Sequence, residues 1–440
     1  PGPVALADID GDGDLDLFIG GRVVPGRYTA AISQIFLNEG GRWVPDATNT
    51  SVLAQVGMVS GAVFSDLDGD GWPDLVLGCD WGPVRVFHND HGKFSETTRA
   101  LGLAELTGWW NGVAVGDLDE DGRMDIVASN WGRDTPYQSG RGRPLRIYHG
   151  DLDDAGVHDL VEARHDAGLG KYVPERQLGV LAKAMPFLSG RFRSNAAYST
   201  AGIEEILGDR LPRAAVVEAT CLETTLFLNR GDHFEAHALP VEAQMSPAFG
   251  IAVADLDGDG HDDVVLAQNF FGVQPELPRH DAGSGLVLKG DGRGGLRAMD
   301  AGVSGIQVYG EQRGVAVSDH DRDGRLDLVI TQNGGATRLF RNIAAKPGLR
   351  VRLDGPDANP DAIGASLRLR SGSHVGPRHE LHAGSGSGSQ DGLVSVLGGP
   401  APATGVLVRW PGGKETVSSV PAGAAEIRVR PDGQVETVGR

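Results

Sequence analysis

Short apolar runs alternate with groups of Asp and Gly along most of the chain. One unit recurs, and its first copy consists of an apolar run at residues 4–7, the loop DIDGDGDLD at residues 8–16 and a second apolar run at residues 17–19. Apolar runs this short, bounded by Gly and Asp, are typical of β-strands joined by tight turns. Because the unit returns at intervals of propeller-blade size, the pattern predicts an all-β repeat protein.

The loop has the form DxDxDGxxD, and five complete copies, loops 1 to 5, occur before residue 343. Each carries Asp at positions one, three, five and nine and Gly at position six. So many copies at comparable spacing exceed what chance would supply. In chain order the carboxylates are Asp8, Asp10, Asp12 and Asp16; Asp66, Asp68, Asp70 and Asp74; Asp117, Asp119, Asp121 and Asp125; Asp255, Asp257, Asp259 and Asp263; and Asp319, Asp321, Asp323 and Asp327.

A weaker copy, the Asp151 loop, follows loop 3. Asp153, Gly156 and Asp159 keep the register, but Ala155 stands where the third carboxylate would be. We expect this loop to bind metal weakly or not at all, because one of its oxygen donors is missing.

A further apolar group that ends in a turn follows each loop. Taken in chain order, these groups pair loop 3 with residues 147–150 and the Asp151 loop with residues 226–229. Six loops and six groups, with modules of this length, predict a β-propeller of six to seven blades. The groups are residues 35–38, 86–89, 147–150, 226–229, 286–289 and 339–342.

The module spacing breaks once, between the Asp151 loop and loop 4. Apolar residues in this interval have helix-like spacing, which predicts a helical insertion with one or two helices at about residues 174–209. A long irregular loop is the alternative. These apolar residues are Leu178, Leu181, Met185, Leu188 and Phe192, then Ile203, Ile206 and Leu207.

The repeat stops after residue 342, so we place the end of the propeller domain at residue 343. Residues 344–348 have the composition of a linker, and alternating strands such as residues 349–353 and 366–370 follow. This pattern predicts a separate small β domain at residues 349–440.

Composition and charge exclude several classes of partner. The chain has 440 residues, a formal net charge of −19 and no apolar run near the roughly 20 residues that cross a bilayer. Such acidity argues against nucleic-acid binding and against an anionic membrane surface, and we expect no membrane insertion. The chain opens at Pro1 without a signal-peptide pattern, which we interpret as a processed or truncated start. Cys79 and Cys221 lack CxxC spacing, and one disulfide or two free thiols both remain open.

The loops carry the donor pattern of a calcium site. Calcium takes about six to eight hard oxygen ligands, and carboxylates at alternate positions of a tight loop converge on one point. Without a cation the four carboxylates repel one another. Gly at position six lets the backbone turn around the ion, and about five calcium ions would offset about half of the formal charge. The residues whose backbone carbonyl at position seven would complete the sites are Asp14, Trp72, Arg123, His261 and Arg325.

Other calcium-binding repeats fit less well. An EF-hand loop closes with Glu at position twelve between two helices, whereas these loops close at position nine and lead into apolar strands. A dockerin-like pair of helices fails for the same reason. Thrombospondin-like repeats need cysteines that the chain lacks, and nonapeptide β-helix repeats have a different glycine pattern. A blade hairpin is the best match.

The loops resemble those of the FG-GAP/VCBS repeat family, whose integrin-α-like propellers bind calcium in loops of this form. The resemblance covers about residues 1–343. The runs NPDAIGA at residues 359–365, GSGSGSQ at 384–390 and VRWPGGK at 408–414 resemble the ASPIC/UnbV domain. Together the two parts resemble the cartilage-acidic-protein-like bacterial proteins. The resemblance implies calcium ligands at positions one, three, five and nine of each complete loop and a secreted or cell-surface location, but no settled reaction.

No motif for catalysis occurs. Nucleophile-elbow, P-loop and dinucleotide-binding patterns are missing, and HELH at residues 379–382 is one residue too short for HExxH. We therefore expect no enzyme, no catalytic residues, and an adhesion, glycan-binding or structural scaffold with a protein or glycan ligand. A secreted propeller enzyme acting on a polysaccharide or similar extracellular substrate is the alternative, because residues assembled in space leave no local motif.

An aromatic group in two adjacent modules is a candidate ligand face. Trp rings beside amides stack on sugars or partner side chains when they are exposed. The alternative is that the rings pack between blades, because large aromatic side chains are mostly buried. The candidates are Trp81, Trp109, Trp110, Asn111 and Trp131.

The last module appears one strand short in the sequence, since the chain leaves residue 342 directly for the linker. An unpaired blade edge exposes backbone donors and acceptors, which proteins normally cover. We expect sequence upstream of Pro1, the C-terminal domain or a strand from a second copy to cover it. The third route would give a homo-oligomer or a filament.

Overall fold

The computed structural model of the chain describes residues 2–275, 277–386 and 388–439. Six β-sheets precede residue 343 in these ranges and two follow it; five of the eight have four strands, and strand pairing is antiparallel apart from one parallel pair in the C-terminal part. The prediction of a mostly β protein built from short antiparallel strands is confirmed. None of the helices in the described ranges combines the length and the apolar character needed to cross a bilayer.

Sheets 1 and 2 each take up one copy of the repeat, and successive strands pair with one another except for the last strand of sheet 2, which pairs with its second strand. Helix α1 (Ala47–Val52) joins the two sheets. The strands of sheet 1 are β1 (Val4–Ala7), β2 (Asp16–Ile19), β3 (Gln34–Asn38) and β4 (Trp43–Pro45). Those of sheet 2 are β5 (Met58–Ser65), β6 (Asp74–Pro83), β7 (Arg85–Asp90), β8 (Lys93–Glu96) and β9 (Thr107–Trp109).

Sheet 3 is interrupted by an insertion that forms a sheet of its own. After its first two strands the chain builds sheet 4, in the order β14-β13-β12-β15, and then returns to complete sheet 3. Sheet 3 begins with β10 (Gly112–Gly116) and β11 (Asp125–Ser129); sheet 4 contains β12 (Leu145–Gly150), β13 (Asp159–Asp166), β14 (Lys171–Pro174) and β15 (Ala215–Ala219); sheet 3 ends with β16 (Thr225–Asn229) and β17 (Phe234–Ala238).

The expected pairing of loops with apolar groups is wrong at this point. Residues 226–229 follow loop 3 in space, because β16 pairs with β11, whereas residues 147–150 belong to β12, which precedes the Asp151 loop. The two groups have the same apolar pattern, so chain order alone could not reveal an insertion inside a sheet.

Short helices cover sheet 4. In the described part of the insertion they number four, where the sequence predicts one or two, and Met185, Leu188 and Ile206 are fully buried against the sheet. The helices are α2 (Leu178–Ala184), α3 (Phe187–Arg191), α4 (Asn195–Ser199) and α5 (Ile203–Leu207), followed by a 3₁₀ turn at Gly208–Arg213.

Sheets 5 and 6 take up loops 4 and 5. A 3₁₀ turn at Val241–Gln244 precedes sheet 5, and α6 (Ala301–Ser304) joins it to sheet 6. Sheet 5 contains β18 (Ala248–Ala254), β19 (Asp263–Gln268), β20 (Leu286–Gly290) and β21 (Leu296–Ala298). Sheet 6 contains β22 (Glu311–Ser318), β23 (Asp327–Asn333) and β24 (Arg338–Phe340).

The C-terminal part forms sheets 7 and 8 around a separate apolar core that contains Val351, Leu367 and Trp410. Sheet 7 has the order β29-β25-β32-β33, and sheet 8 has the order β27-β26-β30-β31 with β28 also on β26. The strands are β25 (Leu349–Leu353), β26 (Ser366–Ser371), β27 (His374–Val375), β28 (His379–Glu380), β29 (Ser395–Leu397), β30 (Gly405–Arg409), β31 (Glu415–Ser419), β32 (Glu426–Val429) and β33 (Val435–Thr437).

Neighbouring sheets share apolar cores in the order 1, 2, 3, 5, 6. Phe18 of sheet 1 packs with Leu75 of sheet 2, and Val86 of sheet 2 packs with Phe227 of sheet 3. Sheets 3 and 5 share another core, and sheets 5 and 6 a fourth. Sheet 4, in the insertion, is thus not part of this series.

Cys79 and Cys221 are free thiols.

A repeated Asn ties three of the five loops to the next sheet. The side-chain amide of Asn89, at the end of β7, donates to the carbonyl oxygen of Ile9 in loop 1 at 3.0 Å. Asn229 donates in the same way to Leu67 in loop 2 at 2.8 Å, and Asn342 to Leu256 in loop 4 at 2.7 Å. The loops are therefore held side by side at one end of the sheets.

The C-terminal part covers the loops and also reaches between the first and last repeat sheets. The amide of Leu6 in β1 donates to the carbonyl oxygen of Ala383 at 2.8 Å, and the amide of Gly392 donates to Val317 in β22 at 2.8 Å. Sheet 6 has three strands, and within the described ranges no strand pairs with the outer edge of β24. Cover of that edge by a second copy stays a prediction.

Candidate metal centres

Each complete loop joins the first and second strands of a repeat sheet, and its ninth residue begins the second strand. β2, β6, β11, β19 and β23 all start at that Asp. The five carboxyl groups are buried, from complete burial for Asp125 and Asp263 to 3% exposure for Asp327. The pleat of the strand therefore fixes one carboxylate at the base of each loop.

Two backbone amides hold the ninth Asp in every loop. In loop 1 the amides of Ile9 and Asn38 donate to the two oxygens of Asp16 at 2.8 and 2.9 Å. In loop 3 the amides of Leu118 and Asn229 donate to Asp125 at 2.9 and 2.8 Å. Loops 2, 4 and 5 repeat both bonds. These bonds link the loop to the third strand of its sheet.

The carboxylates at positions one and five accept backbone amides of the same loop and so hold its turn. Asp8 accepts the amide of Gly13 at 3.1 Å, and Asp319 accepts the amide of Gly324 at 2.8 Å. The fifth-position Asp accepts the amide two residues later in all five loops, at 2.8 to 3.0 Å. The sixth-position glycines have φ between +83° and +96°, which favours residues without a side chain.

The donor set fits a divalent cation with hard oxygen ligands. Carboxylate oxygens from three residues lie within 4.8 Å of one another in four of the loops. Asp14, Asp66 and Asp119 each have a buried Oδ1 without a hydrogen-bond partner. Buried oxygens of this kind are costly unless a cation or water meets them. The four groups are Asp8, Asp10 and Asp16; Asp66, Asp68 and Asp70; Asp117, Asp119 and Asp125; and Asp255, Asp257 and Asp259.

Burial weakens the acidity of these carboxyl groups. Burial, with a smaller contribution from neighbouring Asp residues, raises the pKa of Asp8 and Asp255 to about 6 and that of Asp16 and Asp263 to about 7. Burial raises the pKa of Asp125 to about 8. A bound cation would favour the charged forms and oppose this effect.

We predict that acidification stabilises the metal-free protein. A carboxyl group whose pKa is higher in the folded state than in the unfolded state binds protons more tightly when folded, so its contribution is lost as pH rises through about 6 to 8. The melting temperature in metal-depleted buffer should rise as pH falls from about 8 to about 6. With calcium present the trend should reverse, because protons then compete with the ion. A metal-free melt that is lower at the acidic end would contradict this expectation.

Basic or imidazole side chains contact the carboxylates of loops 2, 4 and 5. The sequence did not predict these contacts. Lys289 at the end of β20 contacts both Asp257 and Asp259 of loop 4, and Arg341 contacts Asp321 of loop 5. His88 at the end of β7 lies 3.2 Å from both Asp68 and Asp74 of loop 2. Each of the three immediately precedes the Asn or Gly whose backbone amide donates to the ninth Asp. This shared position in the sequence could have indicated them.

Arginines of the C-terminal part meet three first-position carboxylates. Arg378 donates through its guanidinium to Asp66 at 3.0 Å and through its backbone amide to Asp117 at 2.9 Å. Arg350 contacts Asp319, and both arginines are buried. The C-terminal part therefore contributes positive charge to the loop end of the repeat sheets. The spacing of residues in the sequence could not show these contacts.

The Asp151 loop keeps the backbone pattern of the complete loops. The amides of Gly156 and Leu152 donate to Asp151 and Asp159 at 3.1 and 3.2 Å, and the amide of Ala155 donates to Asp153. Ala155 has no oxygen to offer. The expectation of weak binding therefore stays a prediction.

We predict that Ala155→Asp adds a calcium site, because the substitution restores the missing donor to a loop already folded in the same way. Calcium bound per chain should rise by one relative to the parent protein. Leu160→Asp, an exposed change on the strand that follows the loop, is the matched control for added charge. An unchanged count in the Ala155 variant, or an equal rise in both variants, would contradict the prediction.

Trp81, Trp109 and Trp131 lie together at the opposite ends of the strands, whereas Trp110 packs on Phe227 in the core between sheets 2 and 3. Trp81, Trp110 and Trp131 are 5%, 0% and 4% exposed, whereas Trp109 is half-buried and stacks on Trp131 with ring centroids 3.9 Å apart. The Asn111 amide donates to the carbonyl of Ala248 at 2.9 Å. These contacts favour the packing alternative for the three buried rings, and the ligand-face hypothesis stays a prediction.

We predict that Trp109→Ala weakens binding of a glycan or protein ligand, since Trp109 is the most exposed of the four rings. The melting temperature should change little. Trp110→Phe, a conservative change at a buried ring, controls for repacking. A large loss of stability with unchanged binding would support the packing alternative instead.

Comparison with known proteins supports the repeat interpretation. A model described as "FG-GAP-like repeat" matches residues 8–77 and 66–128. Mouse (Mus musculus) cartilage acidic protein 1 is 28% identical over 207 residues, which are 46% of this chain and 27% of that protein. The chain thus spans about a quarter of the length of this relative.

Structural likenesses are weak. Rhamnogalacturonan lyase YesW is 12% identical with a TM-score of 0.31, covering 94% of this chain and 71% of that one. The Bacillus licheniformis rhamnogalacturonan lyase is 13% identical with a TM-score of 0.31, covering 94% and 70%. At this TM-score neither likeness bears on activity. The repeated loops and the sequence matches together show FG-GAP-like repeats in residues 8–128, and the chain is distantly similar to cartilage acidic protein 1 over about half of its length.

Proposed function

We propose that the chain is a secreted or cell-surface, calcium-binding β-propeller that acts as an adhesion, glycan-binding or structural scaffold and not as an enzyme. The observation that carries the proposal is the set of backbone hydrogen bonds to the fifth and ninth Asp, which recurs in all five complete loops. Five loops with the same bonds favour a shared structural role over catalysis of a single reaction.

Calcium suits these loops because their donors are carboxylate and carbonyl oxygens. When bound, the ion supplies positive charge that offsets the repulsion among the Asp residues. The chain itself supplies the rest: the ninth Asp ties the loop to the third strand, and the Asn amides tie neighbouring loops together. Calcium at about five loops would therefore stiffen one whole end of the propeller, which we expect to have six to seven blades.

The C-terminal β domain at residues 349–440 strengthens this scaffold in our proposal. Its arginines at positions 350 and 378 meet carboxylates of loops 2 and 5, and its amides and carbonyls bond the first and last repeat sheets. The opposite end, where the Trp rings lie, is left as the candidate face for a protein or glycan ligand. We expect neither nucleic acid nor membrane among the partners.

A glycan array probed with the calcium-loaded chain tests the proposal. We expect selective, saturable binding that disappears in chelator and returns when calcium is restored. Incubation of the bound glycans with the chain should leave their length unchanged. Depolymerisation of a bound polysaccharide would contradict the scaffold proposal and support the enzyme alternative, and an array without any bound glycan would leave protein ligands as the expected partners of the same face.

A further inference from the structure

Loop 2 differs from the other loops in one donor. His88 lies in β7, whose register with β6 (Leu75 opposite Phe87) places the imidazole beside Asp74 at the base of the loop. Its Nδ1 lies 3.2 Å from Oδ2 of Asp68 and 3.2 Å from Oδ1 of Asp74. One nitrogen and two carboxylate oxygens thus converge within 4.8 Å of one another.

The corresponding position carries no ligand atom for a metal in the other complete loops. It is Leu37 in loop 1 and Leu228 in loop 3, and it is a cationic side chain, Lys289 or Arg341, in loops 4 and 5. Leu cannot coordinate a metal, and an ammonium or guanidinium repels one. At this position His88 therefore gives loop 2 a nitrogen ligand that the other complete loops do not have.

A second observation points to a cation site in the same loop. The side chain of Asp66 is 8% exposed, and its Oδ1 has no hydrogen-bond partner although Oδ2 meets Arg378. Oδ1 is a free donor oxygen in a loop where carboxylates of Asp66, Asp68 and Asp70 already lie within 4.8 Å of one another. An unpaired buried oxygen of this kind is costly, and a bound cation would remove that cost.

The distances suit a small dication. Zinc and related ions bind imidazole nitrogen and carboxylate oxygen at about 2.0–2.2 Å, so two ligands on one tetrahedral ion lie about 3.3 Å apart. Imidazole favours zinc, copper, nickel or iron, whereas calcium and magnesium favour oxygen donors. We infer that loop 2 is a mixed imidazole–carboxylate site for a first-row transition dication, with His88 Nδ1, Asp68 and Asp74 as ligands.

This inference rests on the proposed metal-binding role of the loops but can fail or succeed separately from calcium binding. The probe is Co²⁺, whose visible absorption reports nitrogen ligation, followed by displacement with Zn²⁺. The metal-free full chain should bind one Co²⁺ equivalent with such a spectrum. Zn²⁺ should then displace it and lower the calcium bound at saturation by one equivalent, because both ions would occupy the same loop.

His88→Leu is the decisive variant, since loops 1 and 3 carry Leu at this position without loss of the fold. It should lower Co²⁺ affinity by at least about tenfold and abolish the spectrum while leaving calcium binding in place. His237→Leu, at an exposed histidine that pairs with Glu235 on β17, is the matched control and should match the parent. His88→Gln provides a second test if the Leu variant does not fold.

Two results would overturn the inference. Equal Co²⁺ affinity in the His88→Leu and His237→Leu variants would show that His88 is not a ligand. A parent chain without a nitrogen-ligated Co²⁺ spectrum would show that His88 only hydrogen-bonds its Asp neighbours. Loss of calcium binding at every loop, with the Co²⁺ site intact, would contradict the proposed function but not this site.

Discussion

Removal of calcium is expected to lower the melting temperature by about 10 °C. If each site has a dissociation constant near 0.1 mM, calcium at about 1 mM stabilises the folded chain by about 1.4 kcal/mol per site. Over about five sites the sum of about 7 kcal/mol is comparable with the stability of a whole domain. A change of this size shifts the melting temperature of a large domain by about 10 °C.

The comparison is a melt in excess chelator against a melt in calcium, with metal analysis to verify removal. Restoring calcium should restore the original temperature. Magnesium at the same concentration is the control for ionic strength, because the smaller ion demands near-ideal octahedral geometry and dehydrates reluctantly. An unchanged melt after verified removal would contradict a stabilising role.

The second large effect is expected for Asp125→Ala. The buried carboxylate accepts the amides of Leu118 and Asn229, so the substitution leaves two buried donors unpaired. Each unpaired donor costs about 1–3 kcal/mol, and the free energy of unfolding should therefore fall by about 2–6 kcal/mol. This loss should appear in denaturant melts both with calcium and without it.

Asp121→Ala is the matched control in the same loop. Asp121 is more exposed and accepts bonds from Arg123, its neighbour in the loop. We expect this variant to lose only the calcium-dependent part of the stability, about 1.4 kcal/mol. Equal losses for the two variants in metal-free buffer would contradict the structural role assigned to the ninth Asp.

Sequence alone predicted the strands and loops because these depend on local patterns. The Asp spacing placed the ninth carboxylate at the start of each second strand, and the apolar runs marked the strands themselves. Helix-like spacing predicted helices at about residues 174–209, and the helices there are shorter and more numerous than expected. Each of these features is fixed by residues close together in the chain.

Features that depend on distant residues were not predictable in this way. The split of sheet 3 pairs Ile126 with Phe227, about a hundred residues apart, and two similar apolar groups competed for that position. The meeting of Arg378 with Asp66 depends on how the C-terminal part docks. The half-buried state of Trp109 depends on its stack against Trp131, which lies just after β11. No local pattern carries such information.

The number of calcium ions bound per chain tests the central claim most directly. Equilibrium dialysis of the metal-depleted full chain against calcium, without any transition metal, measures it. We predict about five ions at saturation, one for each complete loop, and loss of one ion in Asp70→Ala. Binding of no calcium at about 1 mM by a folded chain would contradict the account.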